Sequence, residues 1–259
     1  MKRVFDRLYS DYAMPSQFAG HESMICAAAD AGYAQLSVRD FFLGLGRCMP
    51  EHARAIVHRH DIDTDLRTAR KLFEIEKRHQ VRSSFYFRLS TLDFGLMHEI
   101  EEYGSEASYH YEELASFAKR NRLKRPADVL QRLPEIKDEF VRNFQSIERT
   151  LGRKMTTVAS HGDFANRRLK LQNTVILSDD ALRGACGIAC EAYDPALMKN
   201  TDIYISDRPH PQYFHPTSPR DALGRHPRIY LLTHPRQFET NWAANTKENV
   251  GRLYQSLIW

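Results

Sequence analysis

The stretch Ile56–Asp65, IVHRHDIDTD, decides the fold. Ala55, Ile56 and Val57 read as the start of a buried strand, and Leu66, Ala69, Leu72 and Phe73 recur at helical spacing directly after it. Two histidines, an arginine and three acids therefore fall where a strand hands over to a helix. In α/β proteins that edge is where sites are built, because the carboxyl ends of the strands converge there.

The same alternation continues outward from this point. Strands are expected at Ser83–Leu89, Glu106–His110, Thr156–Ser160, Thr174–Leu177, Asp202–Ile205 and Arg228–Leu232. Helices are expected at Thr64–His79, at Phe94–Tyr103 with Gly104 as its stop, and over a long stripe ending Ile136, Phe140, Phe144, Ile147, Leu151, where Gly152 is placed as a left-handed cap. A last helix is expected at Asn241–Leu257. Upstream, residues 1–53 show turn punctuation and one helix, Val38–Leu45. Strands alternating with helices predict an α/β fold with parallel strands, as a barrel or a doubly wound sheet.

Bulk properties narrow the class. A chain of 259 residues with 42% hydrophobic content buries one substantial core, which predicts a single domain over residues 1–259. The net charge of +4 arises from 37 basic and 33 acidic residues well mixed along the chain, so no nucleic-acid partner is expected. No stretch approaches the about 20 apolar residues that span a bilayer. The N-terminus also lacks an uninterrupted apolar signal region, so a cytoplasmic protein without a membrane span is expected. Cys26, Cys48, Cys186 and Cys190 are too few and too irregular for a disulfide framework or a thiolate zinc site, and read as reduced packing thiols.

Five expected strands discharge His or Asp at their C-terminal ends: His58 to Asp63, His110, His161 with Asp163, Asp207, and His234. Taken singly, such residues serve most often as helix caps or hydrogen-bonded core groups. Together on one rim they are costly unless a metal or ligand organises them. Imidazole and carboxylate without thiolate suit Zn²⁺ or a similar divalent ion, with three protein ligands and one position open. Asp61 and Asp63, two apart, can divide the work, one on the metal and the other as base.

At these residues the chain resembles the polysaccharide deacetylase superfamily (carbohydrate esterase family 4, NodB homology domain), in its divergent bacterial branch with an RHDVD motif. The likeness lies in Arg59-His60-Asp61-Ile62-Asp63, in Glu106-Ala107-Ser108-Tyr109-His110, in Ala159-Ser160-His161-Gly162 and in Leu231-Leu232-Thr233-His234-Pro235. It covers roughly residues 54–240, leaving an N-terminal extension, residues 1–53, and a C-terminal helix. The resemblance implies a deformed (β/α) barrel of about seven parallel strands, and a metal-dependent hydrolase that removes N-acetyl groups from sugars. By position it implies Asp61 as catalytic base, Asp63 and His110 as metal ligands, and His234 as general acid. The family's second histidine, four residues after the first, is replaced by Leu114. His161 is the first choice for the third ligand, with Glu113 as runner-up. Arg59 is assigned to keep Asp61 ionised and Asp207 to orient His234.

The expected substrate is an N-acetylated sugar or oligosaccharide of a bacterial surface polysaccharide such as O-antigen or capsule, free or lipid-linked, in an open cleft with Tyr111, Tyr213 and Phe214 as exposed aromatics. Two alternatives stay open: a small-molecule C–N amide hydrolase on the same fold, and a catalytically inactive binding protein, suggested by Leu114. Should His234 not be the acid, the loop with His210 and His215 is the next place to look.

Overall fold

The structure is a computed structural model that describes residues 2–45 and 53–259. Its nine strands form one sheet: β1 Ala34–Leu36, β2 Ala55–Ile62, β3 Ser84–Phe87, β4 Glu106–Tyr111, β5 Thr157–Ser160, β6 Cys190–Glu191, β7 Ile203–Asp207, β8 Phe214–His215 and β9 Arg228–Thr233. They run in the order β6-β5-β4-β3-β2-β9-β7-β8, with β1 paired to β2 off that path. Every pairing is parallel except β7 with β8.

The sheet curls into a half-barrel. The Tyr230 hydroxyl on β9 donates 2.8 Å to the Ala192 carbonyl just past β6. Tyr204 of β7 meets the ring of Tyr193 edge-on. Val57, Tyr86, Ala159, Cys190 and Tyr230, from five strands, pack in one inner cluster. The class is thus α/β with a curled, mostly parallel half-barrel, which is compatible with the expected deformed barrel, and about seven strands undercounts it. The strands missing from the expectation, β1, β6 and β8, hold two or three residues each, too few for a period to register.

Central β2 is buried along its whole length, and its residues alternate between two apolar layers. Val57 faces the inner cluster, with the Arg59 guanidinium stacked on Tyr86 and Tyr193. Ile56 and Ile62 pack with the helices outside, as does His60 against Phe85. One edge of β2 is shared by β1 (at Ala55–Val57) and β3 (at Arg59–Ile62), and the other is covered by β9. The N-terminal segment, with helices Lys2–Tyr12 and Phe18–Asp30, therefore contributes a strand directly beside β2.

The helix after β2 runs Leu66–Arg78 and starts on Asp65, whose carboxylate accepts from the Thr68 backbone at 3.2 Å and the Thr68 hydroxyl at 2.6 Å. Asp65 is thus a cap and not part of a site. Gly104 and Gly152 end their helices at φ 98° and 66°, as the left-handed cap requires. The expected strand Thr174–Leu177 is instead a 3₁₀ helix, Asn173–Leu177, with Ile176 and Leu177 turned into the main core. A short apolar run is compatible with either state.

Among the cysteines, Cys186 and Cys190 are free and buried, as packing thiols should be. Cys26 is free but exposed, with its Sγ 3.6 Å from His79 Nδ1, so it is not a buried packing thiol. Cys48 lies outside the described residues. Among the described residues no helix is long and apolar enough to cross a membrane.

Candidate metal centre

Because β2, β4, β5, β7 and β9 are mutually aligned, the residues at their C-terminal ends meet on one rim. Just past β2 the Asp63 backbone N–H reaches back to the Asp61 carbonyl at 3.0 Å, a tight three-residue turn that swings the Asp63 carboxylate over the strand end. The Arg88 guanidinium fixes that turn through the Asp63 carbonyl at 3.3 Å. His110 sits in β4, and its Nδ1 lies 3.0 Å from the Ala159 carbonyl. A carbonyl only accepts, so Nδ1 carries the proton and the Nε2 lone pair faces inward. His161 follows β5, tied by its backbone N–H to the Tyr111 carbonyl at 2.9 Å. Its own carbonyl accepts from Asn173 at 2.5 Å.

Three atoms converge from these anchors. Asp63 Oδ1 is 3.3 Å from His110 Nε2 and 2.9 Å from His161 Nδ1, and the two nitrogens are 3.3 Å apart. Asp63 Oδ1 is buried and makes no hydrogen bond with acceptable alignment. For metal–ligand distances of about 2.0–2.1 Å, a tetrahedron has edges of about 3.3–3.4 Å, so the triangle has the size of one face of a zinc site. An orphaned carboxylate oxygen and two imidazoles, one with its lone pair assigned, form a donor set that fits a divalent ion. Burial works to raise the Asp63 pKa, but His161 and His110 outweigh it and hold the carboxyl well below its usual value.

Asp61 stands behind this triangle, 2% exposed, with Oδ2 at 3.4 Å from His110 Nε2. The fully buried Arg59 grips it with a bidentate fork, Nε to Oδ1 and Nη2 to Oδ2, each at 2.8 Å. Burial pushes Asp61 up, yet the Arg59 guanidinium outweighs it and keeps its pKa lowered, so it is ionised at neutral pH. Across the rim, Asp207 holds His234 twice, ring Nδ1 at 2.7 Å and backbone N–H at 2.5 Å. Burial would favour neutral imidazole, but Asp207 overrides it and His234 is pushed up to about 10. Asp63, Asp207 and His234 line one open cavity of about 750 Å³.

The structure thus brings Asp61, Asp63, His110 and His161 together and sets the His234–Asp207 pair on the same cavity. Other expectations need correction. Glu113 turns away: its carboxylate accepts from the Tyr109 hydroxyl, from Asn143 at 2.8 Å and from the Glu112 backbone at 3.1 Å, and burial pushes it up to about 7. Leu114 is fully buried in the main core. Tyr111 is also fully buried, packed on Phe140, and cannot be a cleft aromatic. Tyr213 and Phe214 line a separate cavity of about 140 Å³. His210 lines the larger cavity, and His215 does not.

Two further groups have ligand atoms close enough to hold an ion. In one, Glu112 is forked by Arg88 and Asp163 is bound by Lys119 at 2.7 Å, which leaves His161 alone. The other, His58, His60 and Glu76 on the outward face of β2, is buried and could hold a metal ion. Its contacts are nearly closed: Glu76 lies 2.8 Å from His60, 3.1 Å from His21 and 2.5 Å from the Ser83 hydroxyl, while His60 Nδ1 meets Thr233 at 2.6 Å. Burial pushes His58 down to about 3 against the pull of Glu76, so it is neutral, and its Nδ1 has no partner. Apart from that one nitrogen the network is satisfied, in the manner of buried polar networks that specify a core.

The arginines on the cavity wall, Arg7, Arg167, Arg208, Arg236 and Arg252, escaped sequence reading. Arg236 lies two residues past His234, a signal that was present; Arg7 and Arg252 come from the terminal helices and are brought in only by folding. No family model matches the chain, and no curated protein matches it.

Proposed function

We propose that the protein is a metal-dependent deacetylase that hydrolyses the N-acetyl group of a sugar, with Asp63, His110 and His161 as ligands of one divalent ion, most simply Zn²⁺. The observation that carries this reading is the triangle of 2.9–3.3 Å edges around an orphaned Asp63 oxygen, facing a histidine held protonated by Asp207. The bound ion supplies Lewis-acid polarisation of the acetamide carbonyl and lowers the pKa of water toward about 7.

The chain's own residues supply the proton transfers. Asp61, kept ionised by the Arg59 fork, accepts a proton from the attacking water. His234 is protonated on both ring nitrogens; Nδ1–H donates to Asp207, which leaves the Nε2 proton to transfer. It delivers that proton to the amide nitrogen as the C–N bond breaks, so the products are acetate and a free amine. Without it nitrogen would have to leave as an anion, a far poorer leaving group than the hydroxide competing with it.

The open cavity of about 750 Å³ is larger than a small amide needs, which supports a sugar as the substrate. The test is acetate release from N-acetylated sugars by zinc-loaded protein, lost on chelation and restored by the ion. Metal-loaded protein that releases no acetate from any N-acetylated sugar, while cleaving a small amide, would transfer the site to the alternative C–N hydrolase.

A further inference from the structure

The cavity in front of Asp63 carries more positive charge than amide hydrolysis uses. Five arginines line it, against Asp6, Asp11, Asp63 and Asp207. Two of those carboxylates are already paired, Asp11 with Arg236 at 2.6 Å and Asp207 with His234 at 2.7 Å, and Asp63 belongs to the proposed metal site, which leaves Asp6, 4.0 Å from His210. Arg167 and Arg208 are exposed and have no carboxylate partner among the described residues. Arg7 is weakly engaged, 3.6 Å from Asp11 and donating to Asn249 at 3.0 Å, and Arg252 pairs with Glu248.

These cations are gathered from distant segments. Arg7 lies in the N-terminal helix, Arg167 in the helix Phe164–Leu169 after β5, Arg208 directly after β7, and Arg252 in the C-terminal helix Trp242–Ile258. Arg7, Arg167 and Arg252 also line an adjoining cavity of about 540 Å³ that reaches His161. The basic wall therefore runs from one proposed metal ligand to another. Arg167 and Arg208, which lack an internal counter-ion, add like charge to this wall, and an anionic ligand relieves the repulsion.

Guanidinium forks match the oxygens of phosphate groups. A neutral sugar would leave Arg167 and Arg208 unanswered, and a single carboxylate would occupy only one fork. We infer that this wall is a phosphate subsite, so that the substrate is an N-acetylated sugar carried on a phosphate or diphosphate, with its acetamide at Asp63, His110 and His161 and its phosphate among Arg7, Arg167, Arg208 and Arg252. The inference rests on the proposed deacetylase for the acetamide end, while the phosphate end stands on the arginines alone. The shared chemistry is a glycosyl diphosphate, whose carrier is a nucleotide or a polyprenyl lipid.

The experiment has two readouts. Inorganic pyrophosphate is titrated calorimetrically into the zinc-loaded protein and into zinc-loaded Arg167→Gln/Arg208→Gln, whose exposed, unpaired side chains can change without disturbing the fold. Because a charge-assisted hydrogen bond contributes about 1.5–3 kcal/mol, affinity should fall by about tenfold or more in the variant, at equal zinc content. Equal affinity in both proteins, or no binding to either, overturns the subsite. Acetate release is then compared for N-acetylglucosamine, its 1-phosphate, its nucleotide diphosphate and its polyprenyl diphosphate in detergent. A KM at least about tenfold lower for the phosphorylated forms supports the inference, by the same arithmetic, and the lower of the two diphosphate values identifies the carrier. Equal KM for the neutral sugar overturns the subsite and leaves the deacetylase standing. Pyrophosphate binding lost in the variant, with no acetate from any sugar, supports the anion site and overturns the deacetylase.

Discussion

His161 Nδ1 lies 2.9 Å from Asp63 Oδ1, and yet that oxygen, buried, has no aligned hydrogen bond. Two groups this close and this poorly aligned are arranged around a third point, and His110 Nε2, at 3.3 Å from both, completes the figure. The consequences can be measured one residue at a time.

Asp61 is placed to accept a proton and not to hold the ion, since both its oxygens are engaged by Arg59. Asp61→Asn should retain zinc while turnover falls by a factor of about 10² or more, the usual scale for losing a positioned base. Zinc content of the purified variant decides the point; loss of the ion would exchange the roles of Asp61 and Asp63.

His234 tests the reaction class. His234→Ala should cripple hydrolysis of an N-acetyl sugar and spare an aryl acetate, whose phenolate departs without needing a proton. If both substrates lose equally, His234 positions the substrate, and His210, on the same cavity, becomes the candidate acid.

The His234–Asp207 pair also leaves a signature in stability. The histidine is raised from the ordinary 6.5 to about 10, so the stabilisation it brings is complete below pH 6.5 and is lost as pH rises through about 10. Asp207→Asn should therefore lower Tm clearly at pH 6 and much less at pH 10.5. A Tm difference that does not shrink over this window would mean that Asp207 acts by packing and its backbone hydrogen bond alone.

Much of this was legible in the chain itself. The run from Ala55 to Asp63 reads as strand then site because an apolar start and a charged end occupy different depths of one β/α unit. His110, His161 and His234 are recoverable for the same reason. Tyr111 was misplaced, although strand alternation sets it opposite His110 and into the helix layer with Phe140. The alternation within β2 likewise divides its polar residues into two sets, Arg59 and Asp61 inward and His58 and His60 outward, a distinction that strand burial on both faces hides from hydropathy. The arginine wall was out of reach for a different reason: Arg7 and Arg252 are separated by nearly the whole sequence and meet only when the terminal helices pack together.

The most direct measurement is elemental analysis of the purified protein beside two variants, His161→Ala and His58→Ala. The account predicts one divalent ion per chain, a sharp loss in His161→Ala, and an unchanged content in His58→Ala. Full occupancy in His161→Ala with loss in His58→Ala would contradict it and place the ion on the outer face of β2, among His58, His60 and Glu76.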